Sequence, residues 1–162
     1  RVRSRPGRGT VFEISVPASA EPVAMPPPGA PAPAPDALQG MLVLVVDDEM
    51  DILVGMEAIL ASWGCFVILA RTVDEARRHL SEAQRFPDLL ITDHRLADGY
   101  TSEDVAAVLA EQVPVPVPVI VLSGDVGASL MQLARARGWS LLGKPVNPER
   151  LRALATRLTA GA

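Results

Sequence analysis

From position 41 onward the chain alternates between short apolar runs and segments with helical periodicity, and this alternation limits the fold more than any other feature. The run Leu42–Val46 is apolar throughout, which is typical of a strand buried on both faces. The next segment has apolar residues at helical spacing, and Gly64 marks the end of the predicted helix. These helix positions are Ile52, Leu53, Met56, Ile59, Leu60 and Trp63.

Four further strand–helix pairs follow. Strands are predicted at 66–70, 89–92, 119–122 and 139–142, and prolines at 114, 116 and 118 exclude an earlier start for the strand at 119. Helices are predicted after a capping box formed by Thr72 and Glu75, over 103–112, and from Val126 to about Gly138. The last helix is predicted to begin with Asn147 as its cap, Pro148 at its first position and Val146 packed on Leu151.

Five strand–helix units predict an α/β fold with a doubly wound parallel sheet and right-handed crossovers. The flavodoxin-like (βα)5 arrangement, with strand order 2-1-3-4-5, fits this pattern. In that order, ligands bind at the carboxyl ends of strands 1 and 3.

Residues 18–40 are predicted to be a linker, because eight of the fifteen prolines lie between Pro17 and Pro35, mostly interleaved with alanine. Such a run favours an extended, semi-rigid polyproline II spacer. The sequence begins with Arg1 and shows no signal peptide, so we interpret it as a cytoplasmic piece of a longer protein, which itself could be anchored in a membrane.

Composition excludes several classes of function. The net charge of −4 argues against a nucleic-acid partner, and no apolar run approaches the length of a membrane span. We expect no direct membrane contact by this stretch of chain. Cys65 is the single cysteine, which excludes an internal disulfide and a cysteine-cluster metal site. Its apolar neighbours indicate a small buried hydrophobe.

Charged and polar residues follow the predicted strands. Strand 1 runs into the acidic sequence 47–49, strand 3 ends at Asp93, strand 4 at Ser123, and Lys144 follows strand 5. Carboxylates crowded at one edge of a sheet need a counter-charge, and Mg²⁺ prefers such oxygen ligands. Asp93 can then act as a carboxylate nucleophile, with Lys144 as a second positive charge and Ser123 as a hydroxyl donor.

Each of these residues also has a simpler interpretation. The sequence 47–49 could be the acidic first turn of a helix, and Asp93 could cap a turn. Lys144 could be a solvated surface lysine, and Ser123 could cap a helix. All four at consecutive strand ends of one sheet edge favour a functional site.

Residues 41–162 resemble a response-regulator receiver domain over their whole length. The resemblance rests on four motifs, at 45–49 (Val-Val-Asp-Asp-Glu), 91–96 (Ile-Thr-Asp-His-Arg-Leu), 121–124 (Val-Leu-Ser-Gly) and 144–145 (Lys-Pro). It implies that Asp93 accepts a phosphoryl group from the phosphohistidine domain of a histidine kinase or a histidine phosphotransfer protein. Lys144 and Ser123, the switch hydroxyl, would stabilise that group. The implied Mg²⁺ ligands are Asp48, Asp93, the backbone carbonyl of Arg95 and, through a water, Asp47.

Two positions depart from the family pattern. Leu141 stands where the family usually has Tyr or Phe, and Ala97 where it often has proline. Because leucine lacks an aromatic ring, the resemblance predicts a weakened switch at Leu141. The family also has a cis peptide before the residue that matches Pro145.

Residues 1–17 resemble the last glycine box and final strand of a histidine-kinase ATP-binding domain. Seventeen residues cannot bind ATP, but with the downstream receiver they point to the tail of a hybrid sensor histidine kinase. The alternative is a chance hairpin strand, since a lone Gly-x-Gly is weak evidence.

Two other functions compete with a phosphorelay receiver. A haloacid-dehalogenase-like phosphatase also uses an aspartate nucleophile and Mg²⁺, but it needs Asp-x-Asp on strand 1, where this chain has Asp-Asp-Glu. A non-catalytic receiver-like interaction domain would retain the acidic pocket unused. The resemblance leaves a homodimer open and gives the receiver the capacity to promote its own phosphorylation and dephosphorylation.

Overall fold

The computed structural model describes residues 2–5, 9–12 and 37–160, with the backbone alone for residues 2, 4, 5, 9–12 and 98. The chain divides into two compact units, Arg1–Pro31 and Ala32–Ala162. In the first unit, β1 (Val2–Arg5) pairs antiparallel with β2 (Gly9–Phe12). Residues 13–36, which hold the end of the predicted N-terminal strand and most of the predicted linker, lie outside the described residues.

The second unit contains a parallel five-stranded sheet. Its strands are β3 (Leu42–Val46), β4 (Phe66–Ala70), β5 (Leu89–Asp93), β6 (Val119–Ser123) and β7 (Ser140–Gly143). Their spatial order is β4-β3-β5-β6-β7, with every pair parallel. The predicted flavodoxin-like order 2-1-3-4-5 is therefore confirmed.

Five helices alternate with these strands and cover both faces of the sheet. They are α1 (Met50–Ser62), α2 (Val73–Glu82), α3 (Ser102–Gln112), α4 (Ala128–Arg137) and α5 (Pro148–Thr159). Helices α2, α3 and α4 pack on alternate strand residues such as Leu44, Leu90 and Val121. Helices α1 and α5 pack on the intervening residues, including Val45, Ile91 and Ile120.

The helix starts differ in part from the sequence predictions. Thr72 Oγ1 accepts a hydrogen bond from the Glu75 N–H at 3.1 Å, but the Glu75 carboxylate bonds to the N–H of Arg71, so the capping box predicted there is only half formed. A reciprocal box is found instead at Thr101 and Asp104, before α3. The Asn147 cap is confirmed by its 3.0 Å bond from the N–H of Arg150.

The prediction that α4 includes Val126 is wrong. The helix begins at Ala128, and Val126 lies exposed in the preceding loop, where Ser123 Oγ accepts the Asp125 N–H and so forms a turn. At the other end, Gly138 adopts a left-handed conformation, and the N–H of Trp139 bonds back to the Ala134 carbonyl. Strand β7 therefore begins one residue later than predicted.

Cys65 is buried, as predicted, and its thiol donates to the Leu38 carbonyl at 3.3 Å. Burial raises the pKa of the Cys65 thiol, and the positive charge of Arg152 opposes this only in part. Among the described residues, no helix combines the length and apolar character that a bilayer crossing requires.

Candidate functional site at the carboxyl edge of the sheet

The carboxyl ends of β3, β5, β6 and β7 bring the predicted site residues together. Strand β5 ends at Asp93 and β6 at Ser123, while Asp47 and Lys144 directly follow β3 and β7. The backbone N–H of Lys144 donates to the Ser123 carbonyl at 2.8 Å, which extends the β6–β7 ladder to the site. The peptide bond between Lys144 and Pro145 is cis, as the family resemblance implied.

The ammonium of Lys144 lies between two carboxylates. Its Nζ is 2.8 Å from Asp47 Oδ2 and 3.0 Å from Asp93 Oδ1, and the Glu49 carboxylate is farther away at 3.9 Å. The Asp47 side chain is only 1% exposed, and that of Asp93 14%. Because a buried carboxylate is costly without a counter-charge, Lys144 stabilises both acids as a shared partner, and the three groups together keep one net negative charge.

Burial by itself would lower the pKa of Lys144, but the hydrogen bonds and negative charges of Asp47 and Asp93 outweigh it. The pKa of Lys144 is consequently raised above its ordinary value of 10.5. The residue is also the only lysine of the chain, beside fourteen arginines. The site therefore holds a compact positive charge throughout the neutral pH range.

The three acids after β3 have different surroundings. Asp47 Oδ1 accepts the N–H of Glu49 at 3.0 Å while its other oxygen binds Lys144, so each carboxylate oxygen already has one partner. Asp48 is half-buried, and its backbone carbonyl accepts a hydrogen bond from Arg71. Glu49 precedes α1 but makes no side-chain cap there. The role of Asp47 as the buried partner of Lys144 is not apparent from the sequence, in which the two residues lie far apart.

A cleft of about 380 Å³ opens above these groups. Its lining residues are Glu49, Asp93, Arg95, Ser123, Gly124, Asp125 and Lys144. The Ser123 hydroxyl donates to the Asp125 carbonyl at 2.7 Å and is therefore turned toward its own loop. Asp48 is not in the lining, whereas Asp125, which the sequence did not single out, is.

Two larger cavities, of about 480 and 730 Å³, lie at the opposite edge, along the valine–proline loop 113–118. Their walls are mostly apolar, and the acidic residue among them, Glu103, is paired with Arg137 at 3.0 Å. The charged residues in these two linings are Glu103 and Arg137, which bind each other. The smaller cleft is the candidate site because several charged side chains meet there, although its volume is lower.

Comparison with known proteins settles the family. The family model for the response regulator receiver domain matches residues 43–156. The chain belongs to the response regulator receiver family. It is 37% identical over 112 residues to the response regulator protein PilR of Pseudomonas aeruginosa. The matched segment covers 68% of this chain but only 24% of PilR. The chain thus spans about a quarter of PilR's length.

Solved receiver structures share the fold. The chemotaxis protein CheY4 of Vibrio cholerae is 28% identical, with a TM-score of 0.64 over 74% of this chain and 98% of CheY4. The receiver domain of the Pseudomonas aeruginosa sensor histidine kinase PA1611 is 23% identical, with a TM-score of 0.63 over 75% of this chain and 98% of that domain. That structure has a magnesium ion coordinated in its active-site cleft. The present chain is accordingly a receiver domain of two-component signalling.

The donor set of this receiver fits Mg²⁺ chemically. Among residues 37–160, no three acidic, histidine or cysteine side chains are gathered closely enough to hold a metal by themselves. However, the cleft lining includes the carboxyl groups of Glu49, Asp93 and Asp125, which can supply hard oxygen donors. Mg²⁺ is usually bound through one or two carboxylates together with waters and phosphate oxygens, so a closed protein cage is not required.

The position at which the resemblance predicts an aromatic switch residue lies on β7. Leu141 is half-buried there, opposite Val121 of β6, and it packs against the core beneath α2, α3 and α4. A leucine at this position fills the edge of the core, and it has no aromatic ring that could rotate between an exposed and a buried orientation.

Proposed function

We propose that Asp93 of this receiver accepts a phosphoryl group from a phosphohistidine, with Mg²⁺ bound beside it. The observation that carries the proposal is the Lys144 ammonium, bonded at once to the strand-end carboxylates Asp47 and Asp93. A shared, protonated lysine beside a partly exposed carboxylate is the positioned positive charge that phosphoryl transfer requires.

In the proposed transfer, an oxygen of Asp93 forms a bond to phosphorus while the phosphorus–nitrogen bond of the donor breaks. The electron pair of that bond returns to the imidazole nitrogen, and an aspartyl phosphate results. Lys144 can follow the phosphoryl oxygens because its side chain is already 20% exposed at the cleft. The Ser123 hydroxyl would leave the Asp125 carbonyl and donate to a phosphoryl oxygen.

The residues proposed to hold Mg²⁺ are Asp48, Asp93, the Arg95 carbonyl and, through water, Asp47. When bound, Mg²⁺ would neutralise negative charge that develops on the phosphoryl oxygens. Asp48 is half-buried next to Asp47, whose two oxygens each have a partner already, and this supports Asp48 as the direct ligand of the two. The receiver of PA1611, which holds magnesium, supports the choice of metal.

The outer face of α1 supports a helical phosphodonor. Asp51 and Glu57 are the only charged residues of this 13-residue helix, and Met50 and Val54 are 50% and 55% exposed. Met50 directly follows the cleft residue Glu49, so an apolar surface borders the cleft. Helices that are apolar on their outer face pack against partners. We assign this face to the phosphohistidine domain of a kinase or phosphotransfer protein.

The proposed domain layout is a kinase tail at 1–17, a linker at 18–40 and the receiver at 41–162, within a cytoplasmic part of a hybrid sensor histidine kinase. The antiparallel pairing of β1 with β2 and the sensor-kinase origin of the PA1611 receiver support it. Sequencing the upstream coding region tests this layout: it should encode a phosphoacceptor histidine helix and ATP-binding motifs. Their absence would refute the layout but not the role of Asp93.

The role of Asp93 is tested with acetyl phosphate and Mg²⁺, followed by intact mass. The wild type should gain one phosphoryl group, and Asp93→Asn should gain none. Equal labelling of both proteins would refute Asp93 as the acceptor. If neither is labelled and beryllofluoride does not bind, the chain is instead a receiver-like interaction domain. The matched control Asp125→Asn changes another cleft carboxyl that is not at a strand end, and it should retain labelling.

A further inference from the structure

The loop between β5 and α3 is a miniature hairpin. The N–H of Ser102 donates to the His94 carbonyl at 3.1 Å, and the N–H of Leu96 donates to the Tyr100 carbonyl at 2.9 Å. Between these two bonds, Arg95 lies opposite Thr101 as an antiparallel bridge. The tip of the hairpin is a short 3₁₀ turn at Ala97–Gly99.

This bond pattern makes Arg95 and Thr101 a pair without hydrogen bonds to each other. In such a pair, the N–H and C=O groups of each residue point away from the opposite strand. Thr101 agrees with this rule, because its N–H leaves the hairpin and reaches Asp104 Oδ2 at 2.7 Å. The carbonyl of Arg95 is likewise directed away from Thr101, and Arg95 lines the cleft beside Asp93. The hairpin thus sets the direction of this carbonyl.

A side-chain contact closes the base of the hairpin. His94 Nδ1 lies 3.1 Å from Ser102 Oγ, and Ser102 is fully buried while His94 is half-buried. The His94 N–H also donates to the Leu122 carbonyl at 2.8 Å, so the hairpin is fixed to the sheet at the same residue. Removing either side chain of this contact would leave a polar partner without its bond.

We propose that His94 and Ser102 are positioning residues that aim the Arg95 carbonyl at the metal. The inference rests on the proposed function, because it concerns the ligand that Arg95 supplies to Mg²⁺. Neither side chain would touch the ion. Their contact holds the base of the hairpin closed. A contact that does not involve the ion itself can still orient a metal ligand, here the Arg95 carbonyl, which would otherwise sample several directions.

The test is a Mg²⁺ titration of the metal-free protein, followed through the amide NMR shifts of residues 93–95. Ser102→Ala should raise the dissociation constant for Mg²⁺ about tenfold, the lower end of typical outer-contact effects. Acetyl phosphate labelling should show a higher half-saturating Mg²⁺ concentration, while its rate at saturating Mg²⁺ returns to the wild-type rate. A purely structural role would lower the unfolding temperature without moving the Mg²⁺ affinity.

Two further variants separate positioning from stability. The double variant His94→Leu with Ser102→Ala removes both polar groups, so it should regain stability while its Mg²⁺ affinity stays low. Cys65→Ala removes a buried hydrogen bond at the opposite end of the sheet, and it should lose stability with unchanged Mg²⁺ affinity.

Circular dichroism shows which of the two variants, Ser102→Ala or the double variant, remains folded. The Mg²⁺ affinity of a folded variant then decides whether the positioning role holds. Wild-type Mg²⁺ affinity in that variant overturns the positioning role and leaves the role of Asp93 intact. Absence of Mg²⁺ binding by the wild-type protein overturns both.

Discussion

The two edges of the central sheet each carry an aspartate paired with a basic residue, but the two pairs differ in burial. At the carboxyl edge, Asp47 and Lys144 are 1% and 20% exposed. At the amino edge, Asp88 and Arg85 are 44% and 50% exposed, at a distance of 2.9 Å. The first pair is largely removed from water, so its attraction acts against a desolvation cost, whereas the second pair is solvated and screened.

The type of basic residue also differs between the edges. Arg85 binds the Gly40 carbonyl and Asp88 together and lies 5.9 Å above the Phe66 ring, which suits a planar, many-donor group. Asp88 in turn accepts the N–H of Leu42 at 2.7 Å, so this edge holds the start of β3 in place. The carboxyl edge instead uses the single lysine of the chain, a compact charge that would follow the phosphoryl group in the proposed transfer. The buried pair at the carboxyl edge is thus suited to a chemical role, whereas the exposed pair at the amino edge holds the backbone in place.

The largest expected effect in this comparison follows from Lys144→Met. Asp47 and Asp93 would lose their shared counter-charge, so without Mg²⁺ the free energy of unfolding near pH 7 should fall by about 2–3 kcal/mol, less than for a fully buried pair. Urea unfolding measures the change. Adding Asp47→Asn should restore most of the stability, and an unchanged midpoint for Lys144→Met would contradict the buried-pair account.

Alkaline pH should affect the two edges unequally. The folded-state pKa of Lys144 is raised, so its contribution to stability is fully present below the ordinary value of 10.5 and is lost as pH rises through the higher folded value. No lysine titrates at the amino edge, because Lys144 is the only lysine of the chain. The Lys144 signal is unambiguous in carbon-13 lysine NMR because the chain has one lysine. A midpoint below that of the unfolded protein would reverse the sign of the predicted linkage.

At the amino edge, Arg85→Ala should lower the free energy of unfolding by only about 0.5–1 kcal/mol, as expected for an exposed pair with a ring contact. Added salt should reduce this difference further, since both side chains are solvated. Arg77→Ala, which removes another exposed ion pair, with Glu111, serves as the matched control. A loss as large as that of Lys144→Met would remove the distinction between the edges.

The smallest effect is expected in the response of the amino edge to phosphorylation. Beryllofluoride with Mg²⁺ should shift the amide signals around Asp93 and Ser123, leave those of Leu42 and Asp88 unchanged, and alter β7 and α4 only weakly. The reason is that Leu141 is a half-buried leucine, so no ring couples the Ser123 hydroxyl to that surface. Large shifts across α4 and β7 would show that Leu141 does not limit the switch.

Much of the fold could be predicted from local patterns, and the errors have local physical reasons. Five apolar runs alternating with helices predicted the parallel sheet, the order 2-1-3-4-5 that fitted this pattern is the one observed, and Asn147 and Pro148 marked the start of α5 correctly. Val126 was misplaced because a Ser123–Asp125 turn competes with helix formation. The capping box was predicted at Thr72, which requires the Glu75 carboxylate to accept the N–H of Thr72. The carboxylate accepts the neighbouring N–H of Arg71 instead, and residue spacing does not distinguish these two donors.

The sequence by itself determined which residues stand at the carboxyl edge, because apolar runs set the strand ends and parallel strands end on the same side. It did not determine how those residues pair. Lys144 and Asp47 are 97 positions apart, and their 2.8 Å contact depends on strand register and on the burial of Asp47. The direction of the Ser123 hydroxyl and the hairpin that turns the Arg95 carbonyl were likewise decided by tertiary structure. Periodicity records which face a residue occupies, whereas a hydrogen-bond partner depends on ångström-scale distances between segments that are remote in sequence.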